Sequence, residues 1–280
     1  MNLKEIGIVS KILPFTSRAG DLDLKKIGIK PKDIFNQKCF SDKIKAESFI
    51  ISHKEIINSD YTKYTSGKSK KFSYDNLKFF FRQIKKSIKL NNNKKFIHAY
   101  WPKFDSLSHK HGVYSQKVEK HFKELDRKFK IFLKSIEGTN TAIIITSDHG
   151  FIDTTKEKII TLEKHPKLKE CLTLPLCGEP RAAFCYVHPS RTKQFEKYVK
   201  TKLKNICRLY KSEYLLKKNY FGLFKPDKKL SDRIGDYTLI LKDNYVLKDK
   251  IFGEKRPVHI GNHGGVSKEE MDVPLIIIKV

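Results

Sequence analysis

Two hydrophobic periodicities alternate along the chain. From Tyr74 to Leu90 the apolar side chains Leu77, Phe79, Phe80, Phe81, Ile84 and Ile88 recur at helical spacing, which predicts an amphipathic helix lying on a sheet. A second stripe of Val118, Phe122, Leu125, Phe129, Phe132 and Leu133 predicts a long helix over 114–136. Between the two helices, Phe96–Tyr100 reads as a buried strand. After the second helix, Thr141–Thr146 is a β-branched run without alternation, the pattern of a strand covered on both faces in a parallel sheet. Strand, long helix, strand is a parallel crossover. The polar loop 101–112 and the turn Ser147–Gly150 are therefore expected at one edge of one sheet, where such sheets present functional groups.

The flanking segments fill in the rest. Ile6–Phe15 predicts an opening strand that stops at Pro14, Thr16–Gly20 a turn, Glu47–Ser52 a strand and Ser59–Gly67 a polar loop. Beyond Gly150 the pattern breaks into short strands at 159–162, 182–187 and 237–241, a helix over 191–204 and an amphipathic piece at 211–218. This predicts a smaller α+β insertion or cap over 155–250. Val273–Val280 returns to buried-strand composition, and Ser267 followed by Glu270 is a capping-box signature for a short helix before it. The expected fold is α/β: a mainly parallel central sheet with helices on both faces, built from 1–154 and 251–280, plus the insertion.

Composition narrows the class. With 280 residues and 39% hydrophobic content, the chain is long enough for a sizeable core. The net charge of +27, from 58 Lys+Arg against 31 Asp+Glu, is compatible with an anionic partner. The excess is nearly all lysine spread along the whole length, and arginine, the better phosphate fork, is scarce. A small anionic substrate is thus expected ahead of nucleic acid. The five cysteines, Cys39, Cys171, Cys177, Cys185 and Cys207, show no CxxC spacing and read as reduced thiols. Lys4, Glu5 and Lys11 interrupt the apolar N-terminus, unlike a signal-peptide core, and no run approaches the ~18 apolar residues of a membrane span. A cytoplasmic protein is the expectation.

Three clusters carry candidate chemistry: Asp105-x3-His109-x2-Gly112, Ser147-Asp148-His149-Gly150 and Gly261-Asn262-His263-Gly264-Gly265. Each sets an Asp or His beside a glycine, whose freedom lets backbone and side chain both approach an ion or phosphate. Two carboxylates and three imidazoles form a mixed N/O set suited to zinc or manganese, with zinc preferred. His98, His111 and His259 lie near these clusters. Tyr100, Trp101 and Phe104 are placed to stack on a base or to pack a rim.

In this order the motifs resemble the alkaline phosphatase superfamily, specifically its nucleotide pyrophosphatase/phosphodiesterase-type branch, over residues 95–155 and 255–280. The resemblance implies a two-zinc phosphohydrolase, with Asp105, His109 and His263 holding one ion and Asp148 and His149 part of the second. It also implies a Ser or Thr nucleophile and a further Asp ligand on an N-terminal strand. Residues 1–15 match a point already inside the family's chain, so that strand is expected to be missing, the site incomplete and the chain weakly active or inactive. Thr16 or Ser17, with Asp21 or Asp23, are the nearest stand-ins, and an ordinary polar turn is the plainer reading for them. Four alternatives stay open: a pseudoenzyme or gene fragment, a sulfatase, a phosphomonoesterase or phosphomutase, and a non-catalytic phosphoanion or nucleic-acid binder.

Overall fold

The computed structural model describes residues 1–35, 39–251, 254 and 258–280. A parallel sheet forms where the apolar runs predict it. Strand β1 (Glu47–His53) lies between β2 (Lys70–Tyr74) and β3 (Lys95–Ala99), with Phe49 paired to both Lys70 and Ile97. Helix α1 (Leu77–Ile88) covers this sheet. Its Leu77 and Phe80 pack with Ile51, Tyr74, Ile97, Trp101 and Leu125. The Asn76 side chain accepts the Phe79 N–H at 3.1 Å, satisfying one of the donors a helix start leaves open.

The segment 101–112, expected as loop, is instead helix α2 (Lys103–His111). Pro102 stands at its N-cap and Gly112, at φ 83°, ends it. The few apolar residues inside, Phe104 and Leu107, are too sparse to show a period. Helix α3 (Gln116–Ser135) follows as predicted, capped by Ser115, and stacks Phe132 on Phe81 with ring centroids 5.2 Å apart. The polar stretch 59–67 likewise contains a short helix, Asp60–Thr65, whose Ser59 cap accepts the Thr62 N–H.

Strand β4 (Ala142–Ile145) departs from expectation. Rather than sharing hydrogen bonds with β3, it pairs antiparallel with the C-terminal strand. It is also not buried on both faces, since Ile144 is 64% exposed. Among the described residues β4 has a hydrogen-bonded strand on one side only, so the cover its composition anticipates is not supplied there. Phe96 of β3 is half-exposed for the same reason. The crossover through α3 still delivers the ends of β3 and β4 to a common place, as the site distances below demonstrate.

Between 155 and 250 an antiparallel sheet forms in the order β5 (Cys177–Glu179), β6 (Ala182–Cys185), β8 (Tyr237–Leu241), β7 (Cys207–Lys211). Helix α4 (Thr192–Lys202) packs on it. This sheet has a hydrophobic cluster of its own, including Leu168, Phe195, Val199, Leu203 and Leu239. Helix α5 (Lys268–Met271) and strand β9 (Ile276–Lys279) close the chain. The predicted capping box is present at α5, where the Ser267 N–H donates to the Glu270 carboxylate at 3.4 Å. The N-terminal 17 residues form a small antiparallel meander of Asn2–Leu3, Ile8–Lys11 and Thr16–Ser17, in place of one long strand. No helix among the described residues is long and apolar enough to cross a membrane.

Leu239 is fully buried at the centre of the antiparallel sheet, so Leu239→Ala should cost about 2–5 kcal/mol by lost transfer energy and cavity formation. Urea unfolding checks this, and a loss below about 1 kcal/mol would mean that the sheet repacks around the gap.

Candidate metal centre

Helix α2 places Asp105 and His109 four residues apart, on one face. Their side chains meet at 3.4 Å between His109 Nε2 and Asp105 Oδ1. The ring orientation is fixed from behind, because the His109 Nδ1–H donates to the Gly261 carbonyl at 2.9 Å. That bond sets the tautomer and leaves Nε2 with its lone pair toward the site. His149, just past the end of β4, is arranged alike. Its Nδ1 bonds the Gly150 carbonyl at 2.9 Å, and its Nε2 lies 3.9 Å from Asp105 Oδ1.

His263 enters from a third segment, the turn after the short pair Gly261–Asn262 with Ile152–Asp153. Its ring stacks on His149 at a centroid distance of 3.7 Å and lies 5.1 Å from His109. Asp105, His149 and His263 each offer one ligand atom, and these atoms lie within 4.8 Å of one another. One carboxylate oxygen and two imidazole nitrogens are the donor set of a divalent N/O metal site. His109 adjoins this triad through Asp105. Asp148 is 3.7 Å from His149 Nε2 but 69% exposed, and it stands outside the three-ligand cluster.

The electrostatics suit cation binding. Burial, helped by the neighbouring His149 and His109, pushes the His263 imidazole down to about 4, so the ring is neutral at physiological pH and its nitrogen is available as a ligand. Burial raises the Asp105 carboxyl, with the nearby Asp148 charge adding to it against the opposing pull of His109 and His149. Tyr100 belongs to the same neighbourhood: burial, then the charges of Asp148 and Asp105, raise its phenol.

Phe151 was not foreseen. Its ring sits edge-on to His109 and His149 at 5.1 Å each, and 5.3 Å from His263, making an apolar wall against three imidazoles. Its place directly after Ser147–Gly150 was the only available signal. His259 does lie at the site, with its ring 4.3 Å from that of His109. Trp101 instead packs inward, donating to His121 Nε2 at 3.0 Å and stacking on Tyr74. The stand-in segment keeps to its own turn: Ser17 bonds the Ala19 carbonyl, Asp21 pairs with Lys11, and Asp23 accepts the Lys25 N–H.

Known proteins share this fold. The family description "Type I phosphodiesterase / nucleotide pyrophosphatase" matches residues 31–266. The murine ectonucleotide pyrophosphatase/phosphodiesterase 5 structure superposes with a TM-score of 0.68 at 16% identity, covering 91% of this chain and 67% of that one. The human counterpart gives 0.62 at 15% identity, over 85% of this chain and 61% of that one. Phosphonoacetate hydrolase from Sinorhizobium meliloti 1021, in complex with phosphonoacetate, gives 0.56 at 16% identity, over 85% of this chain and 66% of that one. The chain thus spans about two thirds or less of the length of these neighbours. No curated protein sequence matches it.

In the metal-free protein, His263 should titrate with a midpoint of about 4, followed by proton NMR. Because the folded value is depressed, the unfolded chain binds this proton first as pH falls. The associated stability is fully present above the ordinary imidazole range and is lost as pH drops through it toward 4. An unshifted midpoint would mean the ring is solvated rather than packed between His149 and His109.

Proposed function

The chain belongs to the type I phosphodiesterase/nucleotide pyrophosphatase family, and on that premise we propose that it is a metal-dependent hydrolase of small anionic phosphate esters, with nucleotide esters as the substrate class. The observation that carries this reading is the convergence of Asp105, His149 and His263 from three separate segments onto one point. Zinc is the preferred ion, with manganese compatible with the same donors. Asp105, His109 and His263 are assigned to one ion, and Asp148 with His149 to part of a second. An ion held there would act as a Lewis acid on phosphoryl oxygens.

The chain's own residues prepare the site for this. The Gly261 carbonyl fixes the His109 ring and the Gly150 carbonyl the His149 ring, so both imidazoles are oriented before any ion arrives. Phe151 sets an apolar ring edge-on against all three imidazoles. The overall charge of +27 favours the approach of anions and weakens in salt. The murine relative has been captured with AMP and the bacterial one with phosphonoacetate, which supports a phosphate- or phosphonate-bearing substrate here.

Zinc titration by calorimetry, together with hydrolysis of a phosphodiester, a phosphomonoester and a sulfate ester, tests the proposal. The wild type should bind zinc, its turnover, weak in a site for which no nucleophile is assigned, should favour the phosphodiester, and chelator should abolish it. His263→Ala should weaken zinc binding by more than about 100-fold, beyond the roughly 10–100-fold typical of losing an outer partner of a ligand. A wild-type chain that holds no zinc or manganese contradicts the proposal, as does a preference for sulfate esters.

A further inference from the structure

Glu270 lies in the short helix after His263 and is 2% exposed, yet it is a carboxylate. Burial of such a charge requires partners, and the main one, Arg181, comes from the 155–250 segment. Arg181, itself 1% exposed and set in the turn between β5 and β6, grips the carboxylate at two points: Nε to Oε1 at 3.0 Å and a terminal nitrogen to Oε2 at 2.8 Å. The other terminal nitrogen donates to the carbonyls of Tyr245 at 2.6 Å and Lys242 at 3.3 Å, which anchors the guanidinium to the loop that follows β8.

Glu270 then divides its contacts between the two ligand-bearing loops. Its Oε1 accepts the Gly265 N–H at 2.8 Å, two residues beyond His263. Its backbone carbonyl accepts the Gly150 N–H at 2.8 Å, next to His149. The glycines allow the approach. A Cβ on Gly150 would fall 2.0 Å from the Glu269 carbonyl oxygen, and one on Gly265 would fall 2.6 Å from a Glu270 carboxylate oxygen. The tip of the β5–β6 hairpin adds a second contact, since a Cβ on Gly264 would fall 2.6 Å from Glu179 Cβ.

We propose that the Arg181–Glu270 pair is a positioning device by which the 155–250 segment sets the spacing of His149 and His263, and so the geometry of the metal centre. The inference rests on the metal-dependent reading above. Arg181 touches neither ligand; it acts through Glu270, and a movement of the hairpin tip shifts both loops together.

Arg181→Lys keeps the charge but loses the two-point grip. In the metal-free, folded variant, amide exchange measured by NMR should speed up at least about 10-fold at both Gly150 and Gly265, and zinc affinity should fall by roughly 10–100-fold. A second variant separates positioning from simple stability: Arg181→Met combined with Glu270→Leu removes both buried charges, which restores the folding stability lost in Arg181→Met alone. Zinc affinity should stay low, because the Gly265 N–H has lost its acceptor. Wild-type exchange at Gly150 and Gly265 in folded Arg181→Lys, or full zinc affinity in the double variant, would overturn the proposal. If the wild type binds no zinc, the functional reading falls, and the exchange rates still decide the role of Arg181.

Discussion

Much of this structure depends on one buried carboxylate. Glu270 receives Arg181 and the Gly265 N–H on its side chain and the Gly150 N–H on its backbone oxygen, so an ion pair with almost no solvent access ties the C-terminal loop, the β4 turn and the antiparallel sheet together. Such a pair contributes little to net stability against an apolar alternative, but breaking one half leaves an uncompensated buried charge. The Glu270 carboxyl, held below the usual carboxylate range, reflects this balance. Burial alone would raise its carboxyl, and the hydrogen bonds and charge of Arg181, with the bonds from Gly265 and Ser267, outweigh it.

Around that hub, the donor set is prepared by backbone carbonyls. The Gly261 and Gly150 oxygens lock the Nδ1 atoms of His109 and His149, which turns two flexible side chains into rings of fixed orientation. Burial, and then the neighbouring His149 and His109, disfavours protonation of His263. A neutral His263 nitrogen facing the Asp105 carboxylate is the protonation state that a divalent cation requires, and this links the packing to the proposed chemistry.

The fold was legible where apolar residues were dense. The stripes of α1 and α3 and the runs of β1, β3 and β4 marked their elements to within a few residues, because burial dictates their period. Helix α2 was not legible, since Phe104 and Leu107 alone carry no period and its start rests on Pro102 geometry. The pairing of β4 with β9 was also hidden: a β-branched run signals a strand but not its neighbour or its cover. Of the site, the glycine-flanked clusters named Asp105, His109, Asp148, His149 and His263, and the structure gathers all of them within one neighbourhood while leaving Asp148 at its exposed rim. Phe151 and Arg181 were invisible, because an aromatic after a turn and an arginine in a hairpin gain meaning only from long-range contacts.

The central claim is that a metal ion is held between Asp105 and His263, with His109 and His149 beside them. Crystals grown with zinc and measured at the zinc absorption edge test it most directly. An anomalous peak bonded to Asp105 and His263, with His149 or His109 within ligand distance, is the predicted result. A map with no peak at this cluster, or with zinc bound only at surface residues elsewhere, would contradict it.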